Sequence, residues 1–114
     1  MSQELPPERF DIDAGDDHWL AYYSWKPDRA LNPQYAGIPD VTRFGMLVYH
    51  RKSNGEPCVS AADFDGPVQR QVNPNRPGWT VESEDPLTLS PSLLCKSDGC
   101  GDHGFIRKGR WVRA

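Results

Sequence analysis

Two cysteines and a histidine set close together near the C-terminus constrain this chain most. They lie in Cys95-Lys-Ser-Asp-Gly-Cys100-Gly-Asp-His103. Thiolates and a neutral imidazole are ligands that zinc prefers, and the interleaved glycines let the backbone curl around an ion without a Cβ clash. Just beyond, Phe105-Ile106-Arg107 and Arg110-Trp111-Val112 are β-prone runs around Lys108-Gly109. Xaa-Gly between two such runs is a hairpin turn signal. The tail therefore predicts a zinc-stapled knuckle that feeds a C-terminal hairpin.

Cys95, Cys100 and His103 supply three metal ligands, and a structural zinc site takes four. Cys58, His18, His50, Asp98, Asp102 or a water would complete it, and the spacing does not choose among them. A Cys95–Cys100 disulfide and a pair of free thiols are the other readings. The first residues, Met1-Ser-Gln-Glu-Leu-Pro-Pro, have neither the basic start nor the apolar core of a secretory leader. A cytoplasmic location is expected, where clustered cysteines bind metal more often than they pair. The odd cysteine count of 3 points the same way.

Upstream, apolar residues make up only 37% of the chain, against 11 prolines and 10 glycines. Loops must take up much of such a chain, and its single modest core gains from a metal staple. Residues 1–16 carry Glu4, Glu8, Asp11, Asp13 and Asp16 against Arg9, which predicts an acidic, flexible arm. Residues 17–114 form a single β-rich domain whose metal-binding tail is 87–114. Strands are expected over His18–Trp25, Phe44–His50, Val59–Phe64, Trp79–Glu82 and Leu87–Leu89. The turn Ser53–Glu56 makes a hairpin of the second and third, bringing His50 and Cys58 near each other across its mouth. The stretches 27–40 and 68–77 are polar and proline-broken and read as long loops. No segment shows a capped helical stripe. The fold class is mainly β, with roughly five to seven short strands.

The run Leu87-Thr-Leu-Ser-Pro-Ser-Leu-Leu-Cys95, continued by Cys100-Gly-Asp-His103-Gly-Phe-Ile-Arg and Gly109-Arg110, resembles the C-terminal signature of a domain family found in bacteria and their phages. That signature joins Leu-x-Pro-Ser-Leu or -Ile, a cysteine, a Cys-x-x-His or Cys-x-His pair, an aromatic-Ile-Arg strand and Gly-Arg. His18–Trp25 and the stretch 65–83 are similar to small proteins of actinobacterial phages. The resemblance implies a zinc site and a bacterial-host cytoplasm, and it brings no reaction. Family members carry a further Cys-x-Cys segment upstream that this chain lacks, which leaves the fourth ligand open.

A net charge of -3 argues against a generally basic nucleic-acid binder, and no apolar run approaches a membrane span. Gly-x-Ser-x-Gly, the phosphate loop, the dinucleotide fingerprint and the zinc-deaminase pattern are all missing. No catalytic residue is assigned, and an enzyme is the less favoured reading. The expected function is a non-enzymatic, zinc-stabilised protein-interaction module acting on a host or phage protein. Tyr35, Arg70 and Arg76 are its expected anchors, because aromatics and arginine dominate interface energies and lie on proline-stiffened loops. Two rivals remain. One is a metal-dependent hydrolase with an open Cys95/Cys100/His103 site. The other is a nucleic-acid-binding module using Arg107, Lys108, Arg110 and Arg113 beside Trp111.

Overall fold

Period-2 alternation of apolar side chains organises the chain into short antiparallel strands, and in the computed structural model residues 4–114 are described. The mainly β class holds. Strands β1 (Ile12–Gly15), β2 (His18–Trp25), β3 (Val41–Arg51) and β4 (Pro57–Asp63) form one sheet in the order β1-β2-β3-β4. Strands β5 (Thr80–Glu84) and β6 (Leu87–Ser90) form a second, and β7 (Leu93–Leu94), β8 (His103–Arg107) and β9 (Arg110–Arg113) a third. Every strand pairing within these sheets is antiparallel.

The core lies where the three sheets meet. Leu20, Met46 and Val48 come from the large sheet, Leu87 and Leu89 from β6, and Leu93, Ile106 and Trp111 from the third sheet. Leu20, Met46 and Ile106 are fully buried. Each such side chain contributes about 1.5–3 kcal/mol on leaving water. Both expected hairpins form. In the tail, Lys108 and Gly109 both take positive φ at the turn, and Phe105 pairs with Val112. In the large sheet His50 stands directly opposite Cys58.

The structure departs from the sequence reading in two places. Of the acidic arm, Ile12–Gly15 is a strand: Ile12 pairs with Leu20 and Ala14 is buried in the core, so the alternation outweighs the charge. Residues 1–3 lie outside the described residues. The stretch 68–77 opens with a helix, α1 (Pro67–Val72). Pro67 sits in its first turn, where a missing N–H costs nothing, so this proline starts a helix instead of breaking one. Within β2, which forms as expected, the aromatics Trp19, Tyr22, Tyr23 and Trp25 are half-buried, and His18 and Leu20 are fully enclosed. No helix among the described residues is long and apolar enough to cross a membrane.

Candidate active site and metal centre

The hairpin mouth and the knuckle meet. His50 and Cys58, from β3 and β4, converge with Cys95 and Cys100 so that all four ligand atoms lie within 4.8 Å of one another. Cys58 Sγ is 3.7 Å from Cys95 Sγ, and His50 Nε2 is 3.1 Å from Cys100 Sγ. A disulfide needs sulfurs about 2 Å apart, whereas two thiolates on one tetrahedral zinc, at about 2.3 Å each, stand roughly 3.8 Å apart. The sulfur pair therefore has the spacing of a zinc site, and all three cysteines are free. His50 Nδ1–H donates to the Val48 carbonyl at 2.9 Å, which fixes the tautomer and leaves the Nε2 lone pair for a ligand. Burial lowers the pKa of His50, so the ring stays neutral. Burial also pushes the Cys100 thiol up to about 12, with Cys95 and Cys58 adding to the rise. Burial raises Cys95, but hydrogen bonds from the Ser97 side chain and backbone, together with those from Cys100 and Cys58, outweigh that and hold it below the ordinary thiol value. A buried Cys3His set of this spacing could hold a metal ion.

The turn that brings Cys100 back needs glycine: Gly101 has φ of 64°, a left-handed conformation open to glycine at little cost. The knuckle is tied down from two further sides. Lys52 Nζ donates to the Asp98 carbonyl at 3.0 Å. Asp102 Oδ2 lies 2.7 Å from Nε2 of the buried His18, whose Nδ1–H donates to the Asp16 carbonyl and whose ring stacks on Trp111 at 4.1 Å.

His103 is set apart from the two cysteines. Cys95 N–H donates to the Asp102 carbonyl, so Cys95 and Asp102 pair across the ladder and His103 stands opposite Leu94. One step along a strand reverses the face. Leu93 and Cys95 point inward and are buried, while Leu94 and His103 point to the open face and are exposed. Ser92, two residues from Leu94, shares that face. His103 Nε2 lies 2.9 Å from Ser92 Oγ. In the Nδ1–H tautomer the serine hydroxyl donates to it, which is the nucleophile–base contact of acyl-transfer enzymes. Among the described residues this is the one hydrogen bond the His103 ring makes, so no third side chain orients the ring.

Its surroundings hold it in place. Trp79 Nε1–H donates to the Ser92 carbonyl at 3.2 Å and fixes the Ser92 backbone. Gly104, next to His103, lies against the Trp111 ring: a Cβ there would stand 2.6 Å from Trp111 Cε2 and Cζ2. His103 also borders a cleft of about 580 Å³, lined by Asp17, Arg51, Lys52, Gly101, Arg113 and Ala114 among others. Arg113 donates to Asp16 at 2.7 Å, and its guanidinium holds the Asp16 carboxyl below the usual range.

The remaining predicted residues lie elsewhere. Tyr35 is half-buried in a 3-10 turn (Pro33–Tyr35), edge-on to Trp25 at 5.3 Å. Arg70 on α1 pairs with Asp65 at 2.9 Å, and Arg76 Nη2 reaches the Ala61 carbonyl. Sequence reasoning missed Ser92, which sits in Ser-Pro-Ser with no glycine elbow around it. The available signal is symmetry: Ser92 precedes Cys95 by the same interval that His103 follows Cys100. A knuckle that closes an antiparallel pair brings two such residues together.

Comparison with known proteins bears on what this geometry is for. No curated protein and no solved structure matches the chain. A family model described as "Bacterial ubiquitination-like system serine protease (BubE)" matches residues 42–114. The matched stretch holds the whole metal cluster together with Ser92 and His103. It overturns the expectation of a non-enzymatic interaction module, which rested on the compact metal half-site, the absence of familiar catalytic motifs, the proline-rich loops and the family resemblance. Since the match covers more than half of the 114 residues, the chain belongs to the family of bacterial ubiquitination-like system serine proteases.

Proposed function

We propose that this chain is a serine peptidase of a ubiquitination-like system, with Ser92 as nucleophile and His103 as general base and acid. The observation that carries the reading is the 2.9 Å contact between Ser92 Oγ and His103 Nε2 on an open sheet face. Ser92 Oγ attacks the substrate carbonyl as His103 takes its proton. The tetrahedral adduct collapses to an acyl-enzyme as His103 hands that proton to the leaving amine. Water, deprotonated by His103, then releases the acyl group and regenerates Ser92. The cleft beside His103 gives one side of the scissile bond room, and Trp79 holds the nucleophile's backbone.

We also infer that the ion suited to His50, Cys58, Cys95 and Cys100 is zinc, held as a staple and taking no part in the reaction. Four protein ligands close a tetrahedral site and leave no position for a reacting water. The staple and the dyad share one loop: Ser92 lies just before the first knuckle cysteine and His103 just after the second. Fixing the knuckle therefore fixes the distance between nucleophile and base. The test is hydrolysis of a chromogenic ester by the purified protein. Ser92→Ala and His103→Ala should each lower kcat by about a thousandfold or more, as loss of either partner does in enzymes of this type. Turnover that survives both substitutions would rule out the dyad. Elemental analysis should find about one zinc per chain.

A further inference from the structure

The backbone beside the nucleophile has hydrogen-bonding groups that the fold leaves free. β8 is the middle strand of its sheet, with β7 on one side and β9 on the other. Ala114 N–H donates to the His103 carbonyl at 3.1 Å, so the main-chain groups of His103 face β9. Cys95 N–H donates to the Asp102 carbonyl at 2.8 Å, so the groups of Asp102 and Cys95 face each other. Antiparallel ladders alternate bonded and non-bonded pairs. Leu94–His103 is thus the non-bonded pair, and Leu94 turns its N–H and C=O away from β8, toward the outer edge of β7. No strand pairs with that edge among the described residues, and Leu94 is 49% exposed.

We infer that this edge is the substrate-binding rail, on which an extended stretch of substrate adds as a strand through the N–H and C=O of Leu94. The inference rests on the reading of Ser92 and His103 as the hydrolytic pair. Strand addition supplies affinity through main-chain hydrogen bonds that any unfolded polypeptide can make. Its geometry suits the dyad, since strands advance about 3.3 Å per residue and Leu94 is two residues from Ser92. A strand anchored at Leu94 therefore carries a carbonyl to Ser92 roughly two residues further on. The Trp79 indole, bonded to the Ser92 carbonyl, ends the open edge at Ser92, so the substrate runs in from the Cys95 side and leaves the edge there, over the face that carries the Ser92 hydroxyl. A second copy of this chain is the poorer occupant. The rail is only two residues long, Leu93–Leu94, too short for a stable strand-paired dimer.

The test uses unfolded β-casein and two measurements. In Ser92→Ala, the Leu94 amide should exchange freely in the absence of casein and at least tenfold more slowly at saturation, read residue by residue by NMR. In the active protein, Leu94→Pro removes the outward N–H, a change edge strands tolerate. It should raise KM for casein about fivefold to tenfold, the effect of one backbone hydrogen bond. The rail is overturned by a Leu94 amide that exchanges at the same rate with and without casein, or by an unchanged KM in a folded Leu94→Pro protein. It is also overturned if Ser92 reacts with a fluorophosphonate while casein is neither bound nor cut, because main-chain recognition should admit any unfolded chain. If Leu94→Pro does not fold, the exchange measurement decides. Slowed exchange in a protein whose Ser92 is inert to fluorophosphonate would keep the rail and remove the hydrolytic reading, so the two failures are distinct.

Discussion

Replacing Cys58 by serine should cost far more than one buried sulfur. Cys58 sits on β4 of the large sheet, 37 residues from its neighbour Cys95 on the knuckle, with the two sulfurs 3.7 Å apart. An ion held between them would join sheet and knuckle in the folded state alone, so its binding energy would add to folding stability. At free zinc of 100 to 1,000 times Kd that contribution is about 2.7–4.1 kcal/mol. A hydroxyl is a far poorer zinc ligand than a thiolate, so Cys58→Ser should forfeit most of it. For a chain of this length 1 kcal/mol moves Tm by roughly 4 °C, so the drop should be about 10–16 °C. Tryptophan fluorescence during heating, with and without a chelator, measures it. The chelator should bring the wild type down to the variant and leave the variant where it was, because the two perturbations remove the same interaction. If wild type and variant lose the same amount to the chelator, or neither responds, Cys58 is not a ligand and the four-residue site is refuted.

Gly104→Ala should destabilise by about 1–3 kcal/mol in urea unfolding, since its Cβ would meet Trp111 at 2.6 Å and the Val112 carbonyl at 2.7 Å while Trp111 is already stacked on His18. Ester hydrolysis should fall with it, because the strain adjoins His103. The Asp16–Arg113 pair should show in acid: the hydrogen bond from Arg113 lowers the folded-state pKa of Asp16 below the ordinary 3.8. A depressed carboxyl stabilises the fold above its unfolded value and loses that contribution as pH falls through the folded one. Tm of Asp16→Asn should therefore lie below wild type near neutrality, and the gap should close as pH drops below 3.8.

Much of the strand pattern was legible because it depends on local signals. Lys108-Gly109 and Ser53–Glu56 mark turns between alternating runs, and both hairpins form where those signals place them. α1 was not legible, because Pro67 reads as a break unless the chain is known to turn into a helix there. Metal spacing is also local, so Cys95 and Cys100 stood out. His50 and Cys58 were visible as neighbours across a hairpin, yet their meeting with the knuckle depends on how two sheets pack, which no spacing encodes. The dyad depends on strand register. Cys-x-x-His makes His103 look like a ligand, but pairing of Cys95 with Asp102 puts the histidine on the opposite face, beside a serine whose local sequence carries no catalytic mark.

Active-site labelling tests the central claim most directly. The purified protein is treated with a fluorophosphonate, digested, and mapped by mass spectrometry, alongside His103→Ala. A single adduct on Ser92 is expected, formed at least a hundredfold more slowly when the His103 base is removed. An unlabelled Ser92, or labelling that proceeds equally fast without His103, would contradict the assignment of these two residues as the hydrolytic pair.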